Sequence, residues 1–351
     1  MKLNNDILNK LIDDGYVMVN NHPSLPLRIY NYTRKTQFEK YWNEYTLLCR
    51  GLILDHDLNV IARPFMKFFN YEEHKPEEIP NTNFEVYEKV DGSLGIIFNY
   101  ANEWHIATRG SFVSEQAIRA KSMLSRYNID GLDSEKTYLV EIIYPENRIV
   151  VDYFGEEKLV LLAVVDIKTG HDMPYSHMKY HTYMRKIDFP LIKYYDGIND
   201  IFELSKRNNQ NEEGYVLRYE NGFRVKIKFE NYCRLHAIIT NLSTKDIWKY
   251  LRDGKDINEL LDRTPDEFDD WVRNEMKSLT DRYLAIESEA KLIFSKIYVD
   301  GMSRKDFAMK ALNENHSPIL FKILENKPYD SIIWKMIEPK YSKAFFKEEG
   351  N

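Results

Sequence analysis

Two cysteines, Cys49 and Cys233, are too few and too widely spaced for a disulfide framework or a paired-cysteine zinc site. Their scarcity fits a reducing compartment, so a cytoplasmic location is expected, the host cytoplasm for a viral chain. Long apolar runs are also missing. No stretch approaches the ~18 residues that a membrane helix needs, and no membrane association is expected. The opening segment, MKLNNDILNKLIDDGY, is polar and acidic and lacks the apolar core of a signal peptide. Nor is there an excess of positive charge. With 49 Lys+Arg against 55 Asp+Glu the net charge is −6, which argues against a broad basic surface for non-specific duplex binding. Any basic surface must be confined to one groove. His56, His74, His105 and His236 show no HExxH or other paired spacing, so they read as turn or core residues. There is no internal repeat and no low-complexity segment.

What is present is ample apolar material, 43% of 351 residues, enough for two domains. Up to about residue 235 the chain reads as short strands and turns with a few helices. YTLLCRGLILD (45–55) suggests a strand and NVIARPFMKFFNY (59–71) a second extended segment. FEVYEKV (84–90) alternates. Residues 92–110 suggest a hairpin turning near Ala101-Asn102, and 215–228 a second turning at Asn221-Gly222. TYLVEIIY (137–144) and EKLVLLAVVDIKTG (157–170) are strand-like, and 114–127 has helical spacing. Beyond that the texture changes. Thr264-Pro265-Asp266-Glu267 combines a cap, a first-turn proline and a capping-box glutamate. Phe268, Trp271, Val272, Met276, Leu279, Tyr283, Ile286 and Ala290 then recur at helical spacing, a bundle core. Ser303 and Ser317-Pro318 open two further helices. The fold class expected is α+β: a mainly antiparallel domain over 1–238 and an all-α domain over 239–351.

The chemistry centres on Lys89-Val90-Asp91-Gly92-Ser93, on a loop that ends a strand. A lysine is a nucleophile only when neutral. Its reference pKa of about 10.4 requires a cationic or desolvated setting. Gly92 lets the backbone turn sharply and approach a ligand. Downstream stand Glu141, Glu213-Gly214-Tyr215-Val216, and Lys226 and Lys228, two apart and therefore on one face of a strand. Two ammonium groups on one face suit a phosphate clamp. Glu141 and Glu213 offer hard oxygens to Mg²⁺, or to Mn²⁺. A nucleophile, several cations and spaced carboxylates are the parts of phosphoryl transfer, whose catalysis is mostly positioning and charge neutralisation. Arg218, Arg224 and Arg234 suggest a basic groove beside them. Tyr71, Tyr144 and Tyr232 read as packing residues before base-stacking ones.

K-x-D-G, a central glutamate, E-G-Y-V and K-x-K, in that order, resemble the covalent nucleotidyltransferase superfamily, which includes the ATP-grasp-like ligase domains of DNA and RNA ligases and the capping enzymes. CRGLILD with Arg50, PFMKFFNY with Lys67 and Phe68, TRGSF with Arg109, ENRIVVDY with Asn147 and Arg148, and VKIKFENYCRLH are similar to the phage-type RNA ligase that repairs tRNA. The likeness spans about 45–236, and the helical tail replaces the β-barrel of other branches. The resemblance implies ATP as cofactor, AMP carried on Lys89, and a monomer that seals RNA ends bearing 5′-phosphate and 3′-hydroxyl, a cleaved tRNA being a plausible target. It implies that Lys226 and Lys228 bind the α-phosphate, Glu141 the ribose and metal, and Glu213 metal. Arg50 and Lys67 would take ribose or outgoing phosphates, Phe68 would line the nucleotide site, Glu88 would lie near adenine, and Asp91 would support the loop. The helical domain would choose the RNA. The alternatives are a nick-sealing or other nucleotidyltransferase, and a silent RNA-end binding module.

Overall fold

The computed structural model describes residues 3–198, 200–240, 242–256 and 269–342. It divides into two compact units, Met1–Ile239 and Thr240–Asn351. The expected helix start at Thr264–Glu267, with Phe268, lies outside the described residues.

Three sheets build the first unit. One runs β1 (Val17–Asn21), β2 (Leu27–Tyr32), β3 (Arg50–Asp55), β4 (Val60–Ala62). β5 (Phe69–Asn70) and β6 (Phe84–Glu88) belong to another sheet. β7 (Ser93–Tyr100), β8 (Glu103–Thr108), β9 (Lys136–Ile143) and β10 (Lys158–Asp166) make a second sheet in the order β10-β9-β7-β8. With β11 (Tyr194–Tyr195), β12 (Gly214–Tyr219) and β13 (Arg224–Lys228), the third is ordered β11-β6-β12-β13-β5. All pairings are antiparallel except β13 with β5. This is the α+β architecture expected.

Side chains in a strand alternate between faces, and the second sheet is apolar on both. Ile96, Phe98 and Leu139 pack with Leu27, Ile29 and Ile53 of the first sheet. Their neighbours Ile97, Tyr138 and Val140 turn the other way, onto Met123 and Met178 of two helices and Tyr87 of β6. The second sheet is therefore a filling between layers. Burying both faces fixes its register, since a one-residue slip would exchange them.

The 92–110 hairpin turns at Ala101 and Asn102, both at positive φ (52° and 63°), as a two-residue hairpin turn requires. Residues 45–55 are not one strand. Glu44–Leu48 is helical because Asn43 and Thr46 form a reciprocal capping box, and the strand begins only at Arg50. The 59–71 segment is broken into β4 and β5, with Pro64 between them. In the second unit, Asp269–Ile297 is one long helix. Its Ala290 packs with Phe307, Ala311, Ile319, Leu320 and Ile333 from three further helices, and Ser303 caps one of them as expected. No helix among the described residues is long and apolar enough to cross a membrane.

Candidate active site

Lys89 follows the last residue of β6. Its backbone N–H donates to the carbonyl of Gly214, 2.8 Å away, on the neighbouring strand β12. That pairing places the lysine beside Glu213, the residue before β12. The Lys89 Nζ lies 2.7 Å from Glu213 Oε1, and Lys228 Nζ, from the end of β13, lies 2.8 Å from the same oxygen. Glu213 is only 3% exposed, so one buried carboxylate oxygen serves two ammonium groups. Burial pushes the Glu213 carboxyl up, but Lys228 and Lys89 more than offset it and hold it below the usual carboxylate range.

Gly214 makes the approach feasible. It adopts φ +148°, and a Cβ there would stand 2.0 Å from the Ile227 carbonyl oxygen. Gly92 is similarly confined. A Cβ would stand 2.7 Å from the Ile142 carbonyl oxygen and 3.0 Å from Glu141 Cγ. Both glycines let backbone lie against backbone where the second and third sheets converge.

Glu141, on β9 opposite Leu94 and Val160, brings the second sheet to the cluster. Burial pushes its carboxyl up to about 8. That value is the net of burial and of Glu213 and Asp91, which raise it, against Lys89 and Arg50, which lower it. Five of the residues singled out from sequence therefore act on one another from three sheets. Arg50 is the first residue of β3, and its guanidinium lies 5.6 Å from the centre of the Phe68 ring.

Asp91 is buried, and its carboxylate is held by hydrogen bonds from backbone and a tyrosine. Its Oδ2 accepts from the amides of Val150 and Val151, both at 2.8 Å. Its Oδ1 accepts from the Tyr232 hydroxyl at 2.8 Å, and its own N–H donates to the Tyr153 hydroxyl at 2.8 Å. The carboxylate thus ties the Lys89 loop to the 150–153 segment and to the helix Glu230–Thr240. The Tyr232 ring also lies 5.0 Å from Lys228 Nζ. Tyr153 carries no sequence signal, being 62 residues away, and Tyr232, a packing residue by sequence, serves here as a hydrogen-bond donor.

The other residues singled out from sequence have the following surroundings. Lys67 is buried among the rings of Tyr32, Trp42 and Phe69, at 5.5, 5.5 and 5.3 Å. Arg109 donates to the Tyr32 hydroxyl at 3.2 Å, so Lys67 and Arg109 meet the same ring. The Glu88 N–H donates to the Lys193 carbonyl; burial raises the Glu88 carboxyl, and the charges acting on it are Lys193, Glu212 and Lys158. Lys226 lies on β13 opposite Val216 and Asn70 and is buried. Arg218 and Arg224 do not form a basic groove. Both engage Asp172, Arg218 Nε at 2.7 Å, and Arg218 also reaches Glu85 at 3.3 Å. Guanidiniums withdrawn from water require such counter-charges, and these two face each other across the hairpin, Arg218 near the end of β12 and Arg224 at the start of β13, away from Lys89. No group of three acidic, His or Cys side chains suited to a metal occurs among the described residues.

A lysine at a strand end, paired through one buried carboxylate to a second lysine, with a further carboxyl alongside, defines a site for chemistry on phosphate groups. The RNA ligase family model matches residues 48–232, more than half of the chain and the whole of this site, and the chain belongs to that family. It is similar to the RNA ligase of Rhodothermus phage RM378, 24% identical over 405 residues covering 92% of this chain and 90% of that one. It is also similar to RNA ligase 1 of Bacteriophage TS2126, 28% identical over 192 residues covering 48% and 46%. A relative from Autographa californica nuclear polyhedrosis virus is 28% identical over 264 residues, but the chain spans only 37% of that protein's length. Among solved structures, an archaeal ATP-dependent RNA ligase aligns over 92% of this chain and 96% of its own, at 13% identity and a TM-score of 0.49.

Proposed function

We propose that the chain uses ATP to join RNA 5′-phosphate and 3′-hydroxyl ends through an AMP group carried on Lys89. The observation that carries this reading is the Lys89–Glu213–Lys228 arrangement at 2.7 and 2.8 Å, inside the segment matched by the family model. Lys89 Nζ attacks the α-phosphorus of ATP, the P–N bond forms and pyrophosphate leaves. The AMP then passes to the 5′-phosphate of an RNA, and Lys89 is regenerated. A 3′-hydroxyl displaces AMP from the activated end to close the strand. Each step replaces one hard condensation by a displacement with a good leaving group.

Lys228 and Lys226 offset charge on the phosphoryl oxygens, and Arg50 adds to them from the first sheet. Asp91 acts as a clasp that fixes where Lys89 points. Glu141 would offer its oxygens to a divalent cation, since it stands on β9 where Glu213 and Asp91 act on it as well as Lys89 and Arg50. Glu213 fits less well, since two ammonium groups already engage its Oε1. Mg²⁺ or Mn²⁺ held there would polarise phosphoryl oxygens. The helical unit supplies discrimination among RNAs, with a broken tRNA loop as the substrate class that the resemblance favours.

Intact-protein mass measured after ATP and Mg²⁺ treatment tests the reading. Wild type should gain one AMP, mapped to the Lys89 peptide, and Lys89→Ala should gain none. Equal labelling of both sinks the covalent route. Sealing of a nicked DNA duplex in preference to RNA ends rejects the substrate assignment. Full discrimination between tRNA-like and linear RNA by a soluble chain ending near residue 240 rejects the role given to the helical unit.

A further inference from the structure

The helix Tyr175–Met184 is anchored by its inner face and carries an unusual outer one. Met178 and Thr182 are buried, and the Tyr138 hydroxyl meets His181 Nε2 at 3.0 Å. On the outside, Tyr180 is 65% exposed, Tyr183 79% and Met184 58%. Tyr180 and Tyr183 are three apart and Tyr180 and Met184 four apart, so the three are neighbours on one face. Large apolar side chains gathered in this way on a surface mark a binding site more often than chance exposure does.

The charge around them is one-sided. Residues 173–187 contain no Asp or Glu, in a chain with 55 of them, but carry Lys179, Arg185, Lys186 and His177. Lys179 and Lys186 pair with no carboxylate among the described residues. The nearby acids are occupied: Asp133 binds Arg185 at 3.1 Å, and Asp188 accepts the Asn128 N–H at 2.7 Å. Exposed aromatic rings interleaved with lysines are the elements of a single-strand nucleic-acid platform. Bases stack on the rings whatever their sequence, and the lysines meet the phosphates.

The helix is also tied to the reacting lysine. The Tyr175 N–H donates to Glu85 Oε1 at 2.9 Å, and the Tyr175 ring lies 6.1 Å from that of Tyr87. Both partners are on β6, the strand that delivers Lys89. At about 3.3 Å per residue, Glu85 is roughly 13 Å from Lys89, and Tyr180 lies five residues, about 7.5 Å of helix, beyond Tyr175.

We propose that the outer face of this helix, with the turn that follows it, is a docking surface for the single-stranded part of the RNA, with bases on Tyr180 and Tyr183 and phosphates on Lys179 and, from the turn, Lys186. The proposal builds on the reading of RNA as substrate. The test measures binding of a 5′-phosphorylated single-stranded RNA of about 20 nucleotides, longer than a single stacking groove covers, by fluorescence anisotropy over a salt series. AMP uptake by the same full-length proteins serves as the control. The Tyr180→Ala/Tyr183→Ala pair should bind about tenfold or more weakly, and the Tyr180→Phe/Tyr183→Phe pair like wild type. The Lys179→Ala/Lys186→Ala pair should lower the slope of log affinity against log salt by about 1.4, near 0.7 per lost phosphate contact. All three should take up AMP as wild type does. Wild-type affinity in the Tyr→Ala pair, or an unchanged slope in the lysine pair, overturns the surface and favours a protein partner there, leaving RNA as substrate intact. A wild type that takes up AMP yet binds no RNA overturns both.

Discussion

Asp91 offers the sharpest test of how this site is held. It is 3% exposed and accepts three hydrogen bonds, from Val150 N–H, Val151 N–H and the Tyr232 hydroxyl, each at 2.8 Å. Asp91→Ala leaves three buried donors without an acceptor, at about 1–3 kcal/mol apiece. Removing a carboxylate also relieves its repulsion on Glu141, so the lower bound, about 3 kcal/mol, is the working figure. For a unit of this size such a loss lowers the melting temperature by roughly 6–12 °C. Asp91→Asn keeps one acceptor oxygen and exchanges charged for neutral hydrogen bonds at roughly 1 kcal/mol each, so it should fall between. The catalytic effect should exceed the stability effect. Lys89 is two residues away, and a displacement of about 1 Å at a reacting group costs on the order of 10²-fold in rate. The assay pairs thermal unfolding of the first unit with the rate of AMP uptake by mass. An Ala variant that melts within about 2 °C of wild type, less than 1 kcal/mol on this scale, and takes up AMP at the wild-type rate refutes the clasp.

Two further outcomes follow from buried geometry. Gly214→Ala places a Cβ against the Ile227 carbonyl oxygen and strains φ, so β12 and β13 should separate at a cost of about 3 kcal/mol; normal denaturant stability together with normal AMP uptake would count against the close approach described. For Asp172, burial pushes the carboxyl up, but Arg224 and Arg218 more than offset this and hold it below the usual carboxylate range. A depressed folded value means stability that is present above the unfolded pKa, near 3.9, and lost as pH falls through the folded one. Asp172→Asn should therefore cost about 3–5 kcal/mol at pH 7, with the gap from wild type closing below about pH 4. A gap that widens on acidification, followed by urea unfolding, contradicts the assignment.

Much of this protein is legible in its residues because the signals are local. Alternation and turn chemistry mark the hairpins at 101–102 and 221–222. The string from Lys89 to Lys228 lists the reacting groups, since the residue types needed for phosphate chemistry are few and their order along the strands is readable. Helical spacing from Phe268 onward marks a second texture. What sequence reading missed depends on partners far away in the chain. Asp91 reads as part of the reactive loop, but its bonds go to backbone 59 and 60 residues on and to Tyr232. Arg218 and Arg224 read as a basic groove, yet Asp172, from a strand-end bridge, and Glu85 engage them. The exposed tyrosines of 175–184 give no periodic signal by themselves. Residue type and order state what chemistry is available. Which carboxylate faces which cation is decided where three sheets converge, because burial removes water and leaves each charge only the neighbours that the fold provides.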